Sequence, residues 1–182
     1  SLPSRGLGDV YKRQDLSVTP ASLVSSVYEK LTENINSLRA RKDAPLTLAE
    51  KLLFGHATDI SSVSLNKGED YGDFAPDRVA MQDATAQMAL LQFMQADLPE
   101  TAVPTTVHCD HLIQAYEGAS TDLQVANKTH KEVFDFLRTA SEKYEIGFWG
   151  PGAGIIHQVV LEQYAFPGGC LLYTSDAADD LG

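Results

Sequence analysis

Cysteine is scarce in this 182-residue chain: only Cys109 and Cys170 are present. Two thiols cannot make a disulfide framework or a Cys-rich zinc module, and a self-contained iron–sulfur cluster takes about four. Positive charge is also short, with 14 Lys and Arg against 25 Asp and Glu, giving a formal net charge of -11. A field of that sign opposes binding to phosphate backbones, which needs clustered cations to displace counterions. Nucleic acid is therefore not expected as a partner. Long apolar runs are missing too. Met88-Ala89-Leu90-Leu91 stops far short of the roughly 20 residues that cross a bilayer, so no membrane partner is expected. What remains, 43% apolar and 21% charged residues, is the composition of one core-forming domain.

The two ends lack periodicity and read as translated adaptor sequence. Residues 1–14, through Gly8-Asp9-Val10-Tyr11-Lys12-Arg13-Gln14, and residues 170–182, through Cys170-Leu171-Leu172-Tyr173-Thr174-Ser175-Asp176, are expected to be non-native. The first carries no signal-peptide pattern. Residues 15–169 are expected to hold the domain, and without the ends the charge stays strongly negative.

Thr19-Pro20 marks a helix start, with Thr19 as cap, followed by Leu23, Val24, Val27, Tyr28, Leu31, Ile35 and Leu38 at helical spacing and a basic end at Arg39–Lys42. Thr47 and Glu50 form a capping box for a short helix that Gly55 can end. Asp59 to Asp77 reads as surface loop. Beyond it the pattern alternates: a strand over Arg78–Met81, a helix over Ala84–Ala96 with Met88, Leu91 and Met94 inward, and a strand over Val103–His108. A single long helix, capped by Thr121, is then predicted over Asp122–Tyr144, with Leu123, Ala126, Val133, Phe134, Leu137 and Ala140 as its apolar stripe. Strands separated by helices of this length predict an α/β fold with a mostly parallel sheet and helices on both faces. Ligands of such sheets sit at the carboxyl ends of the strands. Three places qualify: Gln82-Asp83, Cys109-Asp110-His111 and the glycine turn before His157.

His108-Cys109-Asp110-His111 is the densest reactive cluster, and three chemistries compete for it. His108, Cys109 and His111 could ligate zinc only if the strand ends within the motif, because neighbouring strand side chains point to opposite faces. Cys109 could be a nucleophile with His157 as its base, given an oxyanion hole. Asp110 and His111 could act as an acid–base unit, the carboxylate raising the basicity of the imidazole. His108 and Cys109 are read here as buried strand residues, which is compatible with that third chemistry. Gly150-Pro151-Gly152-Ala153-Gly154 has neither the dinucleotide fingerprint nor a Gly-Lys-Ser/Thr loop. Its glycines read as a tight turn that sets His157 at the start of the segment Gln158–Tyr164. A lone histidine beside apolar residues is more often a core group, and residue chemistry alone favours that reading of His157. Gln82 and Asp83 can cap the helix that follows them, and a Gln amide there can also donate to a carboxylate. His56 and His130 are placed on polar helix surfaces, without a role.

Pro76-Asp77-Arg78-Val79-Ala80-Met81-Gln82-Asp83-Ala84-Thr85-Ala86-Gln87, Val107-His108-Cys109-Asp110-His111-Leu112-Ile113 and Gly154-Ile155-Ile156-His157-Gln158 together resemble the N-terminal domain of the aconitase family, in its mitochondrial form. Pro45–Lys51 and Tyr164–Gly168 fit the same resemblance. It implies part of the aconitase fold and the interconversion of citrate and isocitrate through cis-aconitate, on a [4Fe-4S] cluster in the full-length protein. It also implies a mitochondrial matrix location, the remaining aconitase domains as partners, and a monomer when complete. Residue by residue, Gln82 resembles the family's substrate-binding glutamine, Asp110 and His111 its catalytic pair, and His157 its other active-site histidine. The resemblance thus reverses the reading of His157 as a core residue. In the family the cluster cysteines and catalytic serine lie further on, so the resemblance assigns no metal ligand to this chain, and the chain alone is expected to be inactive. Thr174-Ser175-Asp176 echoes a Thr-Asp-Ser-His segment without its histidine, and Asp176 receives no role. The competing expectation is a non-catalytic module that keeps a carboxylate-binding wall.

Overall fold

A computed structural model describes residues 18–64, 66, 68 and 71–173. Residues 1–14, residues 174–182 and the echo motif at Thr174–Asp176 lie outside the described residues. The chain divides into two compact units, one built on Arg78–Ala165 with residues from Leu171 onward, the other on Thr19–Asp77 with Phe166–Cys170.

In the second unit, helix α1 (Ala21–Arg41) buries Val27, Leu31 and Leu38 and ends in Arg39 and Arg41, as its dipole favours. It starts at Ala21, with Pro20 at the N-cap position. Helix α2 (Leu48–Gly55) opens on the expected capping box. The Thr47 hydroxyl accepts the Glu50 N–H at 3.2 Å, and the Glu50 carboxylate accepts the Thr47 N–H at 2.8 Å. Lys42 adds an ion pair at 2.6 Å. Hydrogen bonds from Lys42 first, then Thr47, hold the Glu50 carboxyl down at about 2. Gly55 serves a close approach, since a Cβ there would run into the Leu31 side chain. Asn34 Nδ2 donates to the carbonyls of Gly55 and Ala57 just beyond.

His56 is buried rather than on a polar surface, which corrects the sequence expectation. Its Nε2 meets Asp77 Oδ2 at 2.8 Å and its Nδ1 meets the Leu52 carbonyl at 2.8 Å. Asp77 lies 21 residues away, and helical periodicity carries no information on a partner at that range.

The first unit is a four-stranded, all-parallel sheet in the order β3-β2-β1-β4. Its strands are β1 (Arg78–Gln82), β2 (Thr105–His108), β3 (Gly147–Trp149) and β4 (Leu171–Tyr173). β4 falls in the segment set aside as adaptor-like, and it pairs Leu171 with Arg78. Helix α3 (Asp83–Gln95) joins β1 to β2. Helices α4 (Ala119–Thr129) and α5 (Lys131–Lys143) join β2 to β3. A short helix α6 (Ile156–Val159) and a π-turn over Val160–Tyr164 follow β3.

Strand alternation sorts the side chains between two cores. Met81, Val107, Cys109 and Phe148 pack with Ala86 and Leu90 of α3 and with Phe134, Leu137 and Ala140 of α5. Ala80 packs on the opposite face with Ile156, Val159, Val160 and Tyr164. The helices therefore cover both faces, as expected. Leu90, Val107 and Leu137 are at most 1% exposed, each worth roughly 1.5–3 kcal/mol of burial.

Two expectations are corrected here. The helix α3 turns Ala86 and Leu90 inward and leaves Met88 and Leu91 exposed. Its phase is set by Gln82, which is both the last residue of β1 and the helix N-cap, so no loop remains to rotate the stripe. The single helix over Asp122–Tyr144 is two helices. α4 begins after Gly118, and the chain breaks at His130 with φ -109° and ψ 22°, outside helical geometry. Asp122, not Thr121, satisfies the turn before α4: its carboxylate accepts the N–H groups of Tyr116, Glu117 and Gly118.

Candidate functional site

The carboxyl ends of β1, β2 and β3 carry the candidate residues because parallel pairing aligns them: Gln82 is in register with His108, and His108 with Trp149. The chain leaves β1 directly into α3 and leaves β2 into the Cys109–Ile113 loop. After β3 it turns through the glycines into α6.

Asp110 is the junction. Its Oδ1 accepts from His111 Nδ1 at 2.9 Å, and its Oδ2 accepts the Ile156 N–H at 2.6 Å. One carboxylate thus orients the His111 ring and anchors the first turn of the helix that bears His157. The two imidazoles come together, with ring centroids 6.3 Å apart and planes at 69°. His157 is exposed and His111 half-buried. The ring of Tyr173 also meets His157, with centroids 5.6 Å apart.

The glycine turn makes that approach feasible. Gly152 and Gly154 have φ of +86° and +137°, and a Cβ on Gly154 would sit 2.9 Å from Val159 Cγ2. Both are positions where a side chain strains the backbone. The π-turn that follows closes with the Ala165 N–H on the Val160 carbonyl, a local widening of the helix frequent at functional sites.

Gln82 lies at the end of β1, 2% exposed. Its Oε1 accepts the Ala84 N–H at 2.6 Å, so its carbonyl caps α3. Asp83 has a role that sequence reasoning missed. Instead of merely capping its own helix, its fully buried carboxylate accepts the N–H groups of His111 at 3.0 Å and Leu112 at 3.3 Å. It ties the Cys109–Ile113 loop to α3. Burial pushes the Asp83 carboxyl above its ordinary range, against the pull of the Leu112 and His111 amides. The only sequence signal was an acid placed between a strand end and a helix.

The same geometry disposes of two competing chemistries. Cys109 points into the apolar core at 1% exposure, and burial, with Asp83 and Asp110 nearby, raises its thiol far above the reactive range. His108 turns the other way, its Nε2 on the Thr106 hydroxyl at 2.9 Å and its ring stacked on Trp149. Burial drives the His108 pKa down to about 4, so it is neutral near pH 7. His108, Cys109 and His111 do not converge as zinc ligands. Asp83, Asp110 and His111 do bring ligand atoms within 4.8 Å of one another, but those atoms already hold the loop together. Neither cysteine fits an iron–sulfur cluster. Cys109 is sealed as a neutral thiol, and burial also raises the Cys170 thiol, whereas cluster ligation takes several thiolates.

The family model described as the Aconitase family (aconitate hydratase) matches residues 50–176. The protein named "Aconitate hydratase, mitochondrial" of Schizosaccharomyces pombe is 56% identical over 155 residues, which is 85% of this chain and 20% of that protein. "Probable aconitate hydratase, mitochondrial" of Dictyostelium discoideum matches to the same extent. The Candida albicans protein named "Aconitate hydratase, mitochondrial" is 50% identical over 181 residues, 98% of this chain and 23% of its own length. The chain spans about a fifth of the length of the relatives it matches. A family match over most of the sequence, falling on the loop and turn that carry Asp110, His111 and His157, leads to one conclusion: this chain belongs to the Aconitase family (aconitate hydratase).

Proposed function

We propose that this chain is part of an aconitate hydratase that interconverts citrate and isocitrate through cis-aconitate in the mitochondrial matrix. It contributes one wall of the active site. The observation that carries the reading is the Asp110 carboxylate, which binds His111 Nδ1 with one oxygen and the Ile156 N–H with the other. With Nδ1 held by Asp110, proton exchange with a ligand falls to His111 Nε2, and the carboxylate stabilises the imidazolium formed when the ring takes up a proton. His157, 6.3 Å away between centroids, is near enough for one small tricarboxylic acid to touch both rings. Gln82 Nε2 supplies a donor to a substrate carboxylate. Asp110, His111 and His157 are the proposed catalytic residues, and Gln82 the proposed substrate-binding residue.

Family membership implies an iron–sulfur cluster in the full-length proteins. The cysteines of this chain do not fit one, so its ligands belong to polypeptide outside the chain. What this chain does is bind, orient and move a proton. The remaining domains complete the site, the whole protein acting as a monomer.

The test is a chimera in which this chain replaces the matched segment of the Schizosaccharomyces pombe relative. Citrate-dependent formation of cis-aconitate, followed by its ultraviolet absorbance, is expected from the chimera and not from the 182-residue chain. Turnover by the isolated chain, or a folded, cluster-loaded chimera without turnover, refutes the reading.

A further inference from the structure

On the sheet face opposite the α3 and α5 core, Arg78 is 2% exposed. Its guanidinium carbon lies 3.9 Å over the centroid of the Tyr164 ring, yet its Nε and Nη1 have no hydrogen-bond partner among the described residues. No carboxylate among the described residues pairs with it. His108, whose ring also meets Tyr164 edge-on at 6.5 Å, has its Nδ1 buried without a partner among the described residues as well. Two orphaned polar groups thus flank the same aromatic ring.

A guanidinium cannot shed its charge in a protein. An aromatic face offsets only part of the cost of burying it, and an uncompensated buried cation is among the most destabilising features a fold can carry. Native proteins pair such groups. Arg78 is nearly enclosed, so a carboxylate held in place by packed polypeptide suits it better than a freely diffusing anion. The relatives carry about four times as much chain again as the matched fifth. β4, the strand paired with Arg78, is three residues long and forms an edge of the sheet, where further chain can pack.

We propose that Arg78 is a docking point for a carboxylate side chain carried by the part of the full-length protein that lies outside this chain. Arg78 thereby locks the β1–β4 side of the sheet to the rest of the molecule. The contact rests on family membership and not on the hydratase reaction, so it is tested by stability and structure.

Arg78→Met keeps the length of the side chain and removes the charge. In the 182-residue chain it deletes an unpaired cation, so the melting temperature should rise. In the chimera with the Schizosaccharomyces pombe relative it breaks an ion pair, and the melting temperature should fall by roughly 2–3 °C. A fall in both proteins, or no change in the chimera, overturns the proposal. If the isolated chain does not fold, the crystal structure of the chimera decides. A Glu or Asp oxygen of the added polypeptide on Arg78 Nε or Nη1 supports the proposal. Water or a backbone carbonyl alone at those atoms defeats it.

Discussion

Asp110 and Ile156 are 46 residues apart in sequence and joined by a 2.6 Å hydrogen bond from the Ile156 N–H to Asp110 Oδ2. This contact turns two separate histidine motifs into one site, because the other Asp110 oxygen holds His111. Asp110→Asn keeps the shape but removes the charge that favours imidazolium formation. In the chimera kcat should fall by about 10² to 10⁴, and the Ile156 amide should exchange faster with deuterium. A kcat within threefold of the parent would show that Asp110 is structural only.

Asp83 holds the loop from below, through the His111 and Leu112 amides. Asp83→Asn replaces one accepting oxygen by an NH₂ group facing a backbone N–H. The cost expected in urea unfolding is roughly 2–4 kcal/mol, since charged hydrogen bonds are lost and a buried donor is left unmet. Amide exchange should rise at His111 and Leu112 and stay unchanged in α5. Uniform loosening across the sheet would point to a global defect rather than loss of this tie.

The alternation of strand and helix was legible in the sequence because each element carries its own signal: β-branched Thr105, Thr106 and Val107 for β2, the capping box for α2. The three strand ends were legible for the same reason, since a parallel sheet dictates where ligands gather. Tertiary contacts were not. Met88 and Leu91 fit a helical stripe as well as Ala86 and Leu90 do, and only the loopless turn at Gln82 decides between them. His56 looked like a surface group until Asp77 was seen beside it. His157 shows the limit most plainly. Its own neighbours in sequence argue for a core residue, and its pairing with His111 depends on a hydrogen bond spanning 46 residues.

Gly154 has a φ of +137°, and an added Cβ would press on Val159 Cγ2 at 2.9 Å. Gly154→Ala should cost about 1–3 kcal/mol and shift α6, with His157 on it. In the chimera KM for citrate should rise along with a lower kcat, because the role proposed for the displaced ring is both to bind and to react. Gly68 also has a positive φ, of +76°, but an added Cβ there meets nothing within 4 Å. Gly68→Ala should therefore cost only backbone strain and leave KM unchanged. Equal kinetic effects of the two substitutions would remove the case for a positioned turn.

His108 gives the molecule an acid sensitivity whose sign follows from its burial. Desolvation, helped by the nearby Arg78 charge and opposed by Asp110, lowers its pKa from 6.5 to about 4 in the folded protein. Between those values the unfolded chain binds a proton that the folded chain does not, so stability falls as pH drops through the window, by about 3 kcal/mol in all. Asp83 works in the opposite sense: its raised carboxyl pKa makes the folded chain the better proton acceptor. The Glu50 contribution, with a folded pKa of about 2, is lost only as pH falls below about 4.5. Comparing parent with His108→Gln isolates the histidine from both. Urea unfolding at pH 7 and pH 4.5 should show the parent losing appreciably more stability than the variant. Equal losses would mean that His108 does not carry the acid sensitivity.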